Sequence, residues 1–299
     1  MSGSQGTPHA LPILVTRNRT PTRDRFLAGA RIGDYTIERE LAVEETGVVY
    51  LGTHVVLPRK VALKVMHASS AWLRSVAMQM LREACLLEAL CHPGIPRVYE
   101  CGVLPDRRPW TAFERIEGVT LGSLMVGGTV PLVDLVCVLR DVADLLHHAH
   151  SRGVVHRRLT AESIVCTPDR QAGVSVLQWD DALTLDTEVR VAINPRDDVY
   201  ALGAIAYRAL TGCAPDRVPA AERCPAAPTE LTALIDHMLA TDPASRPSSD
   251  EVRNRARWLA DTIEPLVLQQ PRWTPRVGSD AIPVEDEGFS VRISHTRTS

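Results

Sequence analysis

The chain has almost no lysine. Of its 33 basic residues only Lys60 and Lys64 are lysine, so every other basic side chain is arginine. Aromatic residues make up 4%, so a core must be built mainly from aliphatic side chains. No apolar run approaches the roughly 18 residues of a membrane span. The early patch Ala10–Val15 is too short and poorly flanked for a secretory signal. The cysteines (Cys85, Cys91, Cys101, Cys137, Cys166, Cys213 and Cys224) are odd in number, scattered, and without a C-x-x-C pair. That argues against a disulfide framework or a zinc site and fits a reducing cytoplasm. A net charge of -3 leaves no electrostatic footprint for nucleic acid. What is present is an ordinary globular composition, 45% hydrophobic and 23% charged, long enough for one or two domains with a real core.

Residues 1–30 are rich in Ser, Thr, Pro, Gly and Arg and lack periodicity, which reads as a flexible leader. Within it, Thr16, Thr20 and Thr22 sit among arginines on what reads as a solvated arm. From Tyr35 the texture becomes strand-like, over Tyr35–Leu41, Val48–His54 and Lys60–His67. Apolar spacing predicts a helix over Ala71–Leu90, stopped by His92-Pro93-Gly94. Strands around Ile95–Cys101 and Trp110–Ile116 complete a small sheet. Beyond Gly118 helices dominate: Val130–Ser151 before Gly153, Asp198–Thr211 before Gly212, and Pro228–Ala240. A last helix, opened by a Ser248–Glu251 capping box, runs to about Ile263. Residues 264–299 read as a disordered tail.

Several segments stand in a meaningful order: VVYLG, VALKVM, LREACLLEALCHPGI, AHSRGVVHR, DVYALGAIAYRALTG and DPASRP. Together with His156-Arg157-Arg158-Leu159-Thr160-Ala161-Glu162-Ser163, they resemble the bacterial Ser/Thr protein kinase family over roughly residues 33–263. The resemblance implies an α+β, two-lobed protein-kinase-like fold. Its small β-rich N-lobe with one main helix covers 31–115, and its larger helical C-lobe covers 116–263.

A kinase positions ATP, neutralises phosphate charge with metal ions and offers a base to the substrate hydroxyl. The resemblance lets each part be matched to a residue. Lys64 takes the place of the strand lysine that reaches the phosphates, and Glu83 that of its helix partner. The pair serves nucleotide binding or simply holds the helix against the sheet. Gly47, Glu114 and Ile116 complete the implied nucleotide contacts, with Phe113 as gatekeeper. The glycine-rich loop, however, reads Ala42, Glu44, Gly47, and Glu44 brings a carboxylate towards the phosphate position.

The catalytic positions depart further. Arg158 stands where the family places its catalytic Asp, and an arginine has no acceptor for a proton. Ser163 replaces the metal-holding Asn, and Gln178 replaces the carboxylate of the D-F-G motif. Asp180 and Asp181 are the remaining metal candidates, though two residues of displacement should hold them away from that position. Only 19 residues separate Gln178 from Asp198, the expected anchor of the catalytic loop, and no A-P-E motif lies between them. Arg246 therefore lacks its usual glutamate. His147, His148 and His150 read as structural, and His156 as a buried strut.

These substitutions imply a pseudokinase: a cytoplasmic regulatory or scaffold module with weak or no ATP or ADP binding and little use for Mg²⁺. Arg158 would then be paired with Asp180 or Asp181, plugging the site. Its partner would be a protein, such as an active Ser/Thr kinase or a component of its pathway. The alternative is a Ser/Thr kinase or other ATP-dependent transferase with residual, rewired activity.

Overall fold

The computed structural model describes residues 25–44, 46–68, 74–167, 173–185 and 193–267. The three leader threonines lie outside them, as do most of the leader and tail. A six-stranded antiparallel sheet forms the first half, in the order β1-β2-β3-β4-β6-β5. Its strands are β1 (Arg31–Ile32), β2 (Tyr35–Val43), β3 (Gly47–His54), β4 (Lys60–Met66), β5 (Val98–Val103) and β6 (Pro109–Glu114). One long helix, α1 (Arg74–Leu90), packs against β5 and β6. The sheet has its own core of Ile32, Tyr35, Ile37, Tyr50, Leu63 and Trp110 among others.

The second half is helical, with α2 (Leu121–Val126), α3 (Leu132–His150), α4 (Pro195–Thr211), α5 (Ala220–Arg223), α6 (Thr229–Met238) and α7 (Ser249–Val267). Helix α3 is its axis. Leu135, Leu139, Val142, Leu146 and Ala149 recur at helical spacing, and all are buried. Helix α4 ends on left-handed Gly212, whose N–H donates to the Arg208 carbonyl, a stop only glycine takes without strain. Gly203 lets α4 close on α6, since a Cβ there would lie 2.7 Å from the Met238 Cβ. The capping box forms as read: the Glu251 carboxylate accepts from the Ser248 N–H at 2.6 Å, and the Ser248 hydroxyl from the Glu251 N–H at 3.2 Å.

Several boundaries differ from the sequence reading. Helix α7 runs to Val267, past the expected end near Ile263. Residues 25–30 join the fold because Phe26 packs edge-on to Tyr50 and Gly29 N–H donates to Ile37 O. Helix α3 ends at His150, and left-handed Gly153 follows after a tight turn. Five further strands carry little local signal: β7 (Val119–Thr120), β8 (Val154–Val155), β9 (Ile164–Cys166), β10 (Val174–Val176) and β11 (Leu183–Thr184). At two or three residues they are held by pairing, β10-β9-β7 and β11-β8.

These short pairings frame the loop His156–Ser163, and Asp198 fixes it. Its carboxylate, 1% exposed, accepts from the His156 N–H at 2.8 Å and the Arg157 N–H at 2.7 Å. His150 Nε2 lies 2.9 Å from the same carboxylate, and its Nδ1 lies 3.0 Å from the Ser249 hydroxyl, tying α3, α4 and α7 to the loop. Removing this acceptor strands two backbone donors in a buried setting. Asp198→Ala is therefore expected to lower unfolding free energy by about 2–4 kcal/mol in a urea titration. The surface control Asp261→Ala should stay within about 0.5 kcal/mol.

Candidate functional site

The site lies where β4, α1, the loop after β8 and the segment after β10 converge. Lys64 projects from β4 and is buried, with Glu83 of α1 at 3.4 Å. It has a second partner that the sequence did not announce. Glu44, just beyond β2, brings its carboxylate to 3.1 Å of the Lys64 ammonium. Asp180 lines the same small cavity, with Thr46, Gln79 and Met80. Burial works to lower the Lys64 pKa, but Glu83, Glu44 and Asp180 outweigh it and hold the ammonium charged well above the usual lysine range. The Glu83 carboxyl is pushed up by burial, against the pull of Lys64. Three carboxylates thus surround one cation.

Gly47 follows the turn at Glu44 and opens β3. A Cβ there would collide with the Val65 carbonyl oxygen, so its smallness is spent on packing against β4. Phe113 is buried in one core cluster with Leu87 and Leu90. In the link between the lobes, Glu114 N–H donates to Arg97 O at 2.8 Å, and Ile116 is half-buried.

The loop at His156–Ser163 is fully formed. His156 is buried, its ring edge-on to Trp179 at 4.6 Å. Its Nε2 donates to Leu177 O at 3.1 Å and its Nδ1 accepts from Arg158 N–H at 3.3 Å, which defines a neutral tautomer. Arg157 holds a left-handed φ of 68° while its guanidinium donates to the Asp181 carbonyl. Arg158 lies 3.1 Å from Asp181 and 3.8 Å from Asp180, with its side chain 56% exposed. The Ser163 hydroxyl donates to Thr160 O at 2.9 Å and accepts from Thr160 N–H at 3.0 Å, so it is committed to the loop's own turn.

Gln178 also takes a left-handed φ, 62°, and Trp179 is buried with its indole N–H donating to Val176 O. A turn closed by Ala182 N–H to Trp179 O follows. This reversal brings Asp180 to the lining of the Lys64 cavity. Gln79 of α1 donates to the Asp180 carbonyl at 2.8 Å and fixes it there. Arg246 finds a substitute partner, with Asp197 at 2.9 Å and the Tyr200 ring below its guanidinium at 4.7 Å.

The histidines are structural in their contacts. His148 Nε2 lies 2.6 Å from Leu90 O, at the end of α1, and the His92 ring lies 4.8 Å from that of His148. Among the described residues, no group of three or more His, Cys, Asp or Glu is placed to hold a metal ion. No described helix is long and apolar enough to cross a membrane.

The family model for protein tyrosine and serine/threonine kinases matches residues 35–185, just over half of the chain. This chain belongs to the protein kinase family. It is 29% identical over 234 residues to the Ser/Thr kinase Pkn1 of Myxococcus xanthus, covering 70% of this chain and 33% of that protein. It is 31% identical over 213 residues to the Ser/Thr kinase PknL of Mycobacterium tuberculosis, covering 65% and 53%. The chain thus spans a third to about half the length of the curated relatives it matches. The crystal structure of the Mycobacterium tuberculosis PknI kinase domain is similar at a TM-score of 0.63 and 25% identity, over 78% of this chain and 99% of that one. The fold is accordingly that of a protein kinase, with a curled β-sheet N-lobe and a helical C-lobe.

Kinases of this family bind ATP with Mg²⁺. The donors here do not fit that pair of metal ions. Gln178 offers a neutral amide, the Ser163 hydroxyl is already used, and Asp180 and Asp181 both face Arg158.

Two histidines give the fold an acid limit. Burial lowers the pKa of His156 below the ordinary 6.5, and burial together with the neighbouring His148 does the same for His92. Below pH 6.5 the unfolded chain takes up protons that the folded chain refuses, so stability present at neutral pH is lost on acidification. Denaturant titrations from about pH 8 down to about pH 5 should show unfolding free energy level above 6.5 and falling below it. A flat profile would contradict the lowered pKa of both rings.

Proposed function

We propose that this chain is a kinase-fold regulatory module that does not transfer phosphate: a pseudokinase that works by binding a protein partner. The carrying observation is Arg158. It stands at the general-base position, cannot accept a proton, and is paired with Asp181 at 3.1 Å. Loss of a positioned base alone costs about 10²–10⁴-fold in rate. Here it coincides with a committed Ser163 hydroxyl and a neutral Gln178, so the penalties compound.

The nucleotide contacts read from the sequence, Lys64, Glu83, Gly47, Glu114 and Ile116, belong to this proposal as a pocket with weak or no affinity for ATP or ADP. The domain reading, a kinase-like unit over 31–263 between leader and tail, is part of it too. The proposed partner is a signalling protein, with an active Ser/Thr kinase as the first candidate because the relatives are Ser/Thr kinases.

One observation favours a second reading, residual transferase activity. Asp180 shares the Lys64 cavity, and a carboxylate there could serve a single metal ion if Arg158 released it. The two readings separate in a phosphotransfer assay with labelled ATP and Mg²⁺, following autophosphorylation and a generic protein substrate. The proposal expects incorporation at the no-enzyme background. Incorporation above background that disappears in Lys64→Ala would establish the second reading instead.

A further inference from the structure

The turn that replaces the glycine-rich loop is tied down at four points. Glu44 N–H donates to Gly47 O at 2.8 Å and closes the turn on itself. His67 N–H donates to Thr46 O at 3.0 Å, anchoring the turn to the end of β4. The His67 ring, buried, donates from Nε2 to Glu44 O at 3.1 Å. Finally the Glu44 carboxylate meets the Lys64 ammonium at 3.1 Å, closer than Glu83 at 3.4 Å. The cavity left among Thr46, Lys64, Glu83 and Asp180 is about 10 Å³, room for one water at most.

A phosphate group cannot reach Lys64 past this arrangement. It would have to displace Glu44 and would meet Glu83 and Asp180 behind it. The Glu44 side chain remains 31% exposed, so the carboxylate closes the site from the solvent side. Glu44 is the solvent-facing member of this pair, and Glu83 stays in place to neutralise Lys64 when Glu44 swings out.

We propose that Glu44 is an internal anionic gate. It occupies Lys64 in place of a ligand phosphate, and His67 latches the turn that carries it. The proposal rests on the non-transferring reading above and adds how that pocket is kept shut. The apparent affinity of a ligand is reduced by the fraction of molecules in the open state. Opening the gate should therefore reveal nucleotide affinity that the wild type hides.

The test is calorimetric titration of the full chain with ADP in excess chelator, for wild type, Glu44→Gln and His67→Phe. Glu44→Gln should bind ADP about 10–100-fold more tightly than wild type. His67→Phe, which frees the turn without altering its charge, should show a smaller gain. The lysine shortage supplies a second readout, because Lys60 is exposed and serves as an internal reference for Lys64. The ratio of Lys64 to Lys60 acylation by an amine-reactive ester, read by mass spectrometry, should rise in Glu44→Gln and fall again when ADP is added. Unchanged ADP affinity in Glu44→Gln, with Lys64 still protected, would overturn the gate. That result would leave the non-transferring reading intact, whereas Mg²⁺-dependent phosphotransfer by wild type would overturn that reading directly.

Discussion

The structure depends on the grip of one buried carboxylate on two backbone amides. Asp198 holds the N–H groups of His156 and Arg157, so the loop after β8 keeps its path whatever side chains it displays. The backbone grip of Asp198 does not depend on the side chain of Arg158, which points to Asp181 and Asp180 instead. His156 spans from the Leu177 carbonyl to the Arg158 N–H, Trp179 packs against it, and the Ser163 hydroxyl ties the turn at Thr160. Scaffold and chemistry are therefore separable in this fold. The backbone supports of such a loop can be kept while the side chains it displays differ.

The exchanges obey a common electrostatic logic. Three basic residues in and around the site each meet a local carboxylate. Lys64 has Glu44 and Glu83, Arg158 has Asp181, and Arg246 has Asp197. A cation left in a half-buried cleft is costly unless paired. The pairings also draw the site inward. Gln79 fastens α1 to Asp180, and His148 fastens the end of α1 to α3, so the helix bearing Glu83 is braced at two points.

Much of this was legible in the sequence, for physical reasons that also explain what was not. Helix α3 announces itself through aliphatic spacing, and α7 through its capping box, because those signals are local. Lys64 stood out because the chain otherwise uses arginine, and Arg158 with its acidic neighbours could be anticipated from charge alone. The short strands β7 to β11 were not legible, since they exist only by pairing with partners distant in sequence. Glu44 was read as an obstacle to phosphate, but its bond to Lys64 follows from hairpin register, Val49 opposite Lys64, which no local pattern encodes. The position of Asp180 turns on a left-handed Gln178, a conformation a glutamine does not advertise. Asp197 was overlooked beside Asp198 because only the three-dimensional approach of Arg246 distinguishes the two.

In the proposed reading the pocket is folded yet closed to a metal-bound nucleotide. The most direct test is thermal unfolding of the wild-type chain with ATP at about millimolar concentration, with and without Mg²⁺. A ligand that binds only the folded state must raise the midpoint by mass action. A pocket closed in this way predicts no Mg²⁺-dependent rise. A rise that requires Mg²⁺ would contradict closure, because Asp180 and its neighbours would then hold a metal despite their pairing with Arg158.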